Sequence, residues 1–178
     1  MMNALLALSR VIDAVTAFVG HHVRWLILAA IAVSAGNAIL RKAFDISSNA
    51  WLELQWLLFG AAFMLAAAYT LQRNAHVRID IVSSRLSRRA RNVIDLLGHL
   101  LFLAPVALIL LWLSAPYFVE SYVSGEVSSN AGGLPVWPAK LMILAGAALL
   151  ARQRLAEGIM RGAVLMGRLP APPEGDPA

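Results

Sequence analysis

The chain has 178 residues, 60% hydrophobic and 14% charged, with a mean hydropathy of +0.69, values outside the range of soluble globular chains. The net charge of +5 and pI near 10.4 do not imply a nucleic-acid partner, because basic loops in so apolar a chain report membrane orientation. The absence of cysteine excludes disulfides and thiolate-held metals.

In chain order, Leu5, Leu8, Ile12, Val15 and Val19 recur at three- and four-residue steps and predict an amphipathic interfacial helix over residues 3–20. A signal peptide is the competing reading, since AVSAGNA (32–38) resembles a cleavage site, but the long amphipathic lead favours a retained helix. Apolar stretches over residues 25–44, 51–71, 93–119 and 134–155 each approach or exceed the roughly 20 residues that cross a core of about 30 Å. The expected fold is an all-α integral membrane protein with four transmembrane helices and amphipathic interfacial helices at the N-terminus and in the central loop. Residues 1–169 form a single membrane domain, and the Pro-rich residues 170–178 a disordered tail.

Between the second and third spans lies LQRNAHVRIDIVSSRLSRRAR (71–91), which holds Arg73, Arg78, Arg85, Arg88, Arg89 and Arg91. Within it Ile79, Val82, Leu86, Ala90 and Val93 make an apolar stripe, so residues 79–92 are expected to lie in the headgroup layer, with Arg85, Arg88, Arg89 and Arg91 toward anionic membrane lipid. Arg10, Arg24, Arg152, Arg154, Arg161 and Arg168 flank the spans on that same side. The opposite side has Arg41 and Lys42, then Glu120 and Glu126 with no basic residue before Lys140. Both termini and the central loop are therefore expected to be cytoplasmic. Trp51, Tyr117, Tyr122 and Trp137 fall at the outer boundary and Trp25 and Tyr69 at the inner one, while Trp56 and Trp112 lie deeper and read as packing residues.

Chemistry is sparse. No GxxxxGK, HExxH or GxSxG motif is present, so no enzyme, catalytic residue, metal or cofactor is expected. Glu53 reads as an interfacial carboxylate paired with Arg41 or Lys42, or as a polar contact to a partner. Asp95 and His99 share a helix face, and Asn37 is placed to bond across helices. A haem or quinone subunit is an alternative that needs two imidazoles at one depth, and only His99 falls within a span. A self-contained four-helix transporter is the other alternative; it needs a carboxylate near the midplane, and Glu53 is near an end. Ala32/Gly36, Ala62/Ala66 and Ala147/Ala151 have the spacing of close helix packing.

Two stretches carry a family resemblance. ELQWLLFGAAFMLAAAYTLQRNAHVRIDI, with Glu53, Arg73, His76, Arg78 and Asp80, resembles the second helix and following loop of the small membrane subunit of TRAP (tripartite ATP-independent periplasmic) transporters. SSNAGGLPVWPAK (128–140), with Gly132, Gly133, Leu134, Pro135, Trp137, Pro138 and Lys140, is similar to the outer loop leading into the fourth helix in one branch of that family. The resemblance implies a scaffold for a large multi-helix permease subunit that carries the substrate and sodium sites. A periplasmic substrate-binding protein would deliver an organic acid, with a lean toward 2-oxo acids or similar carboxylates. Asp80 is expected to accept from Arg73 or Arg78 in a polar corner. Gly132 and Gly133 supply unusual backbone angles, and Pro135 and Pro138 restrict φ, so residues 120–140 should hold a defined conformation.

Overall fold

The computed structural model describes residues 2–46, 48–73, 87, 90, 93–94, 97–165 and 167. It is all-helical: α1 (Met2–Phe44), α2 (Asn49–Gln72), a π-helical turn (His99–Leu103) continuing into α3 (Ala104–Ser124), and α4 (Trp137–Leu165). Among the described residues the only strand-like pairing is an isolated antiparallel bridge between Val127 and Pro135.

The first 44 residues differ from expectation. In place of an interfacial helix followed by a separate span, α1 is one helix of 43 residues, about 64 Å long at 1.5 Å per residue. Nothing in residues 20–24 (GHHVR) ends a helix. Gly20, a weak helix former, instead admits the ring of Tyr69, which occupies the space a Cβ would need. Helix α2 runs back along α1: the Gln72 side chain donates to the Asp13 carbonyl at 2.8 Å, and a Cβ on Gly36 would lie 4.0 Å from the Trp51 ring. Helix α4 is parallel to α2, with its Gly146 against the Met64 carbonyl and its first residues beside Glu53. Helix α3 packs on α4, so α4 is the one helix that meets the other three.

Three helices are long and apolar enough to cross a membrane: Ala4–Phe44, Asn49–Gln72 and Leu101–Ser124. Helix α4 extends ten residues past the expected end at 155 and carries Lys140, Arg152, Arg154, Glu157 and Arg161, which dilute its apolar character. Pro105 is the second residue after the π turn. Its missing N–H and bulky ring prevent a regular bond to the preceding turn, and the wider turn absorbs the conflict. Gly125, at φ 63°, closes α3 in the left-handed conformation.

Buried residues recur every seven positions. On α1 they are Ser9, Thr16, Val23, Ala30 and Asn37; on α3, Ala107, Ser114 and Ser121; on α4, Leu149, Ala156 and Ala163. A seven-residue period is that of left-handed helix packing, and small side chains bring the backbones close. Ala62 and Ala147, from the predicted small-residue pairs, are buried here as well. Trp56 and Trp112 are not packing residues within this chain: they are 66% and 79% exposed.

The close approach at Gly146 generates a paired prediction. Gly146→Val places its Cβ 2.7 Å from the Met64 carbonyl oxygen, backbone that cannot swing aside, and is expected to destabilise the fold by about 1–3 kcal/mol. Gly60→Ala meets nothing within 4 Å and is expected to leave thermal stability in detergent unchanged or slightly raised. Equal melting temperatures for the two variants would contradict this packing.

Candidate functional site

The polar side chains gather at two ends. At the end that the loop charges predict to face outward, the outer end, Glu53, in the second turn of α2, faces the segment joining α3 to α4. One carboxylate oxygen accepts from the Ser128 hydroxyl and, at 2.7 Å, from the Asn130 side-chain amide; the other accepts from the Leu134 backbone N–H at 2.7 Å. The segment closes on itself: Ser128 N–H donates to the Leu134 carbonyl at 3.0 Å, Val136 N–H to the Glu126 carbonyl at 3.0 Å, and Gly133 N–H to the Asn130 carbonyl at 2.9 Å. Gly132 sits at φ 70°, and a Cβ on Gly133 would collide with Ser128 at 2.6 Å, so each glycine is required for its own reason. Asn49 adds a side-chain bond to the Ala131 carbonyl at 3.1 Å.

The same end is braced from α3. The Lys140 ammonium bonds to the Glu126 carboxylate and lies 3.9 Å from the centroid of the Tyr117 ring. Trp137 meets Tyr122 edge-to-face at 5.6 Å. The Lys140 ammonium bonded to it holds the Glu126 carboxyl below the usual carboxylate range.

At the inner end a second polar junction joins three helices. Gln153 on α4, buried, donates to the Asp13 carboxylate at 2.8 Å and accepts from the Thr16 hydroxyl at 2.7 Å. Gln72 binds the Asp13 carbonyl, so α1, α2 and α4 are tied at one level. One turn further along α4, Arg154 and Glu157 are buried side by side at 3.9 Å.

Of the residues the sequence singles out, Glu53, Gly132, Gly133, Leu134, Pro135 and Trp137 come together in the outer cap. Glu53 pairs there with the loop rather than with Arg41 or Lys42. Arg73 caps α2, its Nε donating to the Tyr69 hydroxyl at 3.1 Å. His76, Arg78, Asp80, Arg85, Arg88, Arg89 and Arg91, the expected helix over residues 79–92 apart from residues 87 and 90, Asp95 and the tail over residues 170–178 lie outside the described residues. Asn37 is buried on the α1 seam. The inner junction, Asp13, Thr16, Gln72 and Gln153, escaped sequence reasoning. Its one signal is the seven-residue spacing of Ser9 and Thr16 with Val23, a polar extension of an apolar seam.

This arrangement defines an all-helical membrane protein whose polar groups serve to fasten helix ends. The profile of the tripartite ATP-independent periplasmic transporters, DctQ component, matches residues 30–163, and the chain belongs to that family. Its members are small permease subunits of TRAP transporters, membrane proteins that work with a large permease subunit and a substrate-binding protein; they are transporter components, not an enzyme family. No curated protein and no solved structure matches the chain.

Two outcomes follow from the junctions. Gln153→Leu leaves the Thr16 hydroxyl and Asp13 carboxylate without their partner and is expected to cost about 1–3 kcal/mol for each abandoned group, read as a lowered melting temperature in detergent. A carboxyl held below its ordinary pKa of about 4.3 contributes its stabilisation above that value and loses it as pH falls through the lower, folded-state value. Hydrogen-exchange protection across residues 126–136 should therefore be flat from neutral pH down to the carboxylate range and fall below it. In Glu126→Gln that acid-dependent component should disappear from the Lys140 contact.

Proposed function

We propose that this chain is the bracing subunit of a TRAP-type secondary transporter, in which the large permease carries an organic acid and the chain holds that permease in place. In this reading α4 is the fourth span, both termini and the central loop are cytoplasmic, and uptake is driven by a sodium gradient. The substrate-binding protein approaches from the side of the outer cap. The observation that carries the reading is where the polar groups go: Glu53, Glu126, Lys140, Asp13 and Gln153 bond within the chain at its two ends, while the span-level faces of α2 and α3 present exposed apolar side chains. A frame that fastens itself and offers an apolar flank suits a neighbour in the membrane. Glu53, with three donors from its own loop, is poorly placed to bind a substrate, which weighs against a self-contained transporter.

Co-purification tests the partner. A tagged copy expressed with its neighbouring transport genes should bring down a large polytopic permease, and Trp56→Ala with Phe59→Ala and Phe63→Ala should weaken that capture without lowering the melting temperature of the subunit, since all three rings are exposed. Transport by the chain alone in liposomes would contradict the bracing role. Reporter fusions test topology: one at Ser128 should report periplasm and one after Arg168 cytoplasm. A fusion after Arg168 that reports periplasm would remove α4 from the spans.

A further inference from the structure

Helices α1 and α3 both pack on α4 but not extensively on each other, and a trough of about 720 Å³ runs between them. Val11 and Val15 form one wall, Leu108 and Leu111 the other, and Ala148 and Leu155 the floor. One cation lines this apolar surface. Arg152 is exposed, and its Nε reaches only the Ala148 carbonyl of its own helix, at 3.4 Å. Among the described residues no carboxylate forms an ion pair with it.

Depth adds a second constraint. Gln153, the next residue, is linked through Asp13 to Gln72, the last residue of α2. Arg152 therefore stands level with the end of the α2 apolar run, where the headgroup layer begins. A guanidinium at that level, set in an apolar trough, is complementary to an anion attached to an apolar body. Guanidinium also binds phosphate oxygens in a bidentate fork, which favours a phosphate over a diffuse counter-ion.

We propose that the trough holds one phospholipid, with its phosphate on Arg152 and its acyl chains against Val15, Leu108 and Leu111. The lipid fills the gap between α1 and α3 and so fixes the N-terminal half of α1 relative to α3. This inference rests on the chain lying in a membrane and not on the bracing role.

The test uses the complex purified in mild detergent and exchanged against either dioleoyl phosphatidylglycerol or dioleoylglycerol, which lacks the phosphate, with bound lipid counted by native mass spectrometry. One phosphatidylglycerol per chain is expected to survive exchange, and dioleoylglycerol is not. Arg152→Gln should reduce retention by about tenfold or more, Arg152→Lys by less. Leu108→Trp, a change at an exposed wall position, should displace the lipid while the melting temperature holds. Equal retention by Arg152→Gln, equal retention of dioleoylglycerol, or no retained lipid at all would overturn the site. The chain has no native cysteine, so Val11→Cys and Leu155→Cys can be cross-linked selectively. Efficient cross-linking of both to the large permease would show a protein helix in the trough and equally overturn it.

Discussion

Inside a bilayer, burying leucine against leucine gains little, because lipid tails are as apolar as the side chains they would replace; close backbone approach and hydrogen bonds must hold helices together. This chain meets that constraint with small residues spaced seven apart. Ser9, Thr16, Val23, Ala30 and Asn37 make one seam on α1, and Leu149, Ala156 and Ala163 another on α4. Gly20 and Gly146 mark the tightest approaches, against Tyr69 and Met64. Large apolar side chains, displaced from these seams, face outward: Trp56, Phe59 and Phe63 on α2, Phe102, Trp112 and Val123 from the π turn through α3.

Seams of small residues slide easily unless something fixes their register. The two polar ends supply that restraint. Gln153 and Gln72 hold Asp13 and Thr16 at the inner end, and Glu53 holds the Ser128–Leu134 segment at the outer end. A buried polar contact has few good alignments and is costly in others. The result is a frame with both ends fastened and an apolar flank, the form that a subunit bracing a larger membrane protein requires. The DctQ family, to which the chain belongs, works with a large permease subunit, and the frame is the part proposed for it there.

Much of this was legible in the residues, but unevenly. Apolar runs located the helices, and Gly132, Gly133, Pro135 and Trp137 marked a loop whose backbone demands are visible in the letters alone. Glu53 stood out as an ionisable group in a span, yet its partners did not, because Ser128 and Asn130 are 75 and 77 residues away and of common types. The N-terminal half of α1 was legible as an amphipathic helix but not as one continuous with the first span. Its stripe of Leu5, Leu8 and Val15 fits a helix resting on a membrane surface. In the structure those side chains are exposed while the polar face with Ser9 and Thr16 is turned inward. A sequence pattern shows that two faces differ; it does not show which one the protein buries. Arg154 carried a similar ambiguity, since a residue that signals the cytoplasmic side is also buried beside Glu157.

The central claim is that this subunit is a fixed frame and not a moving part. Asn49 and Ala131, exposed neighbours joined by a 3.1 Å hydrogen bond between α2 and the outer segment, allow that to be tested in a chain with no native cysteine. Asn49→Cys and Ala131→Cys would be bridged by a short, reducible thiol-reactive bis-thiosulfonate in the reconstituted three-component system, and uptake of the substrate captured by the cognate binding protein would be followed. A fixed frame predicts the same uptake rate before bridging, after bridging and after reduction. Uptake that stops on bridging and returns on reduction would show that the outer cap moves during transport, and would contradict the account.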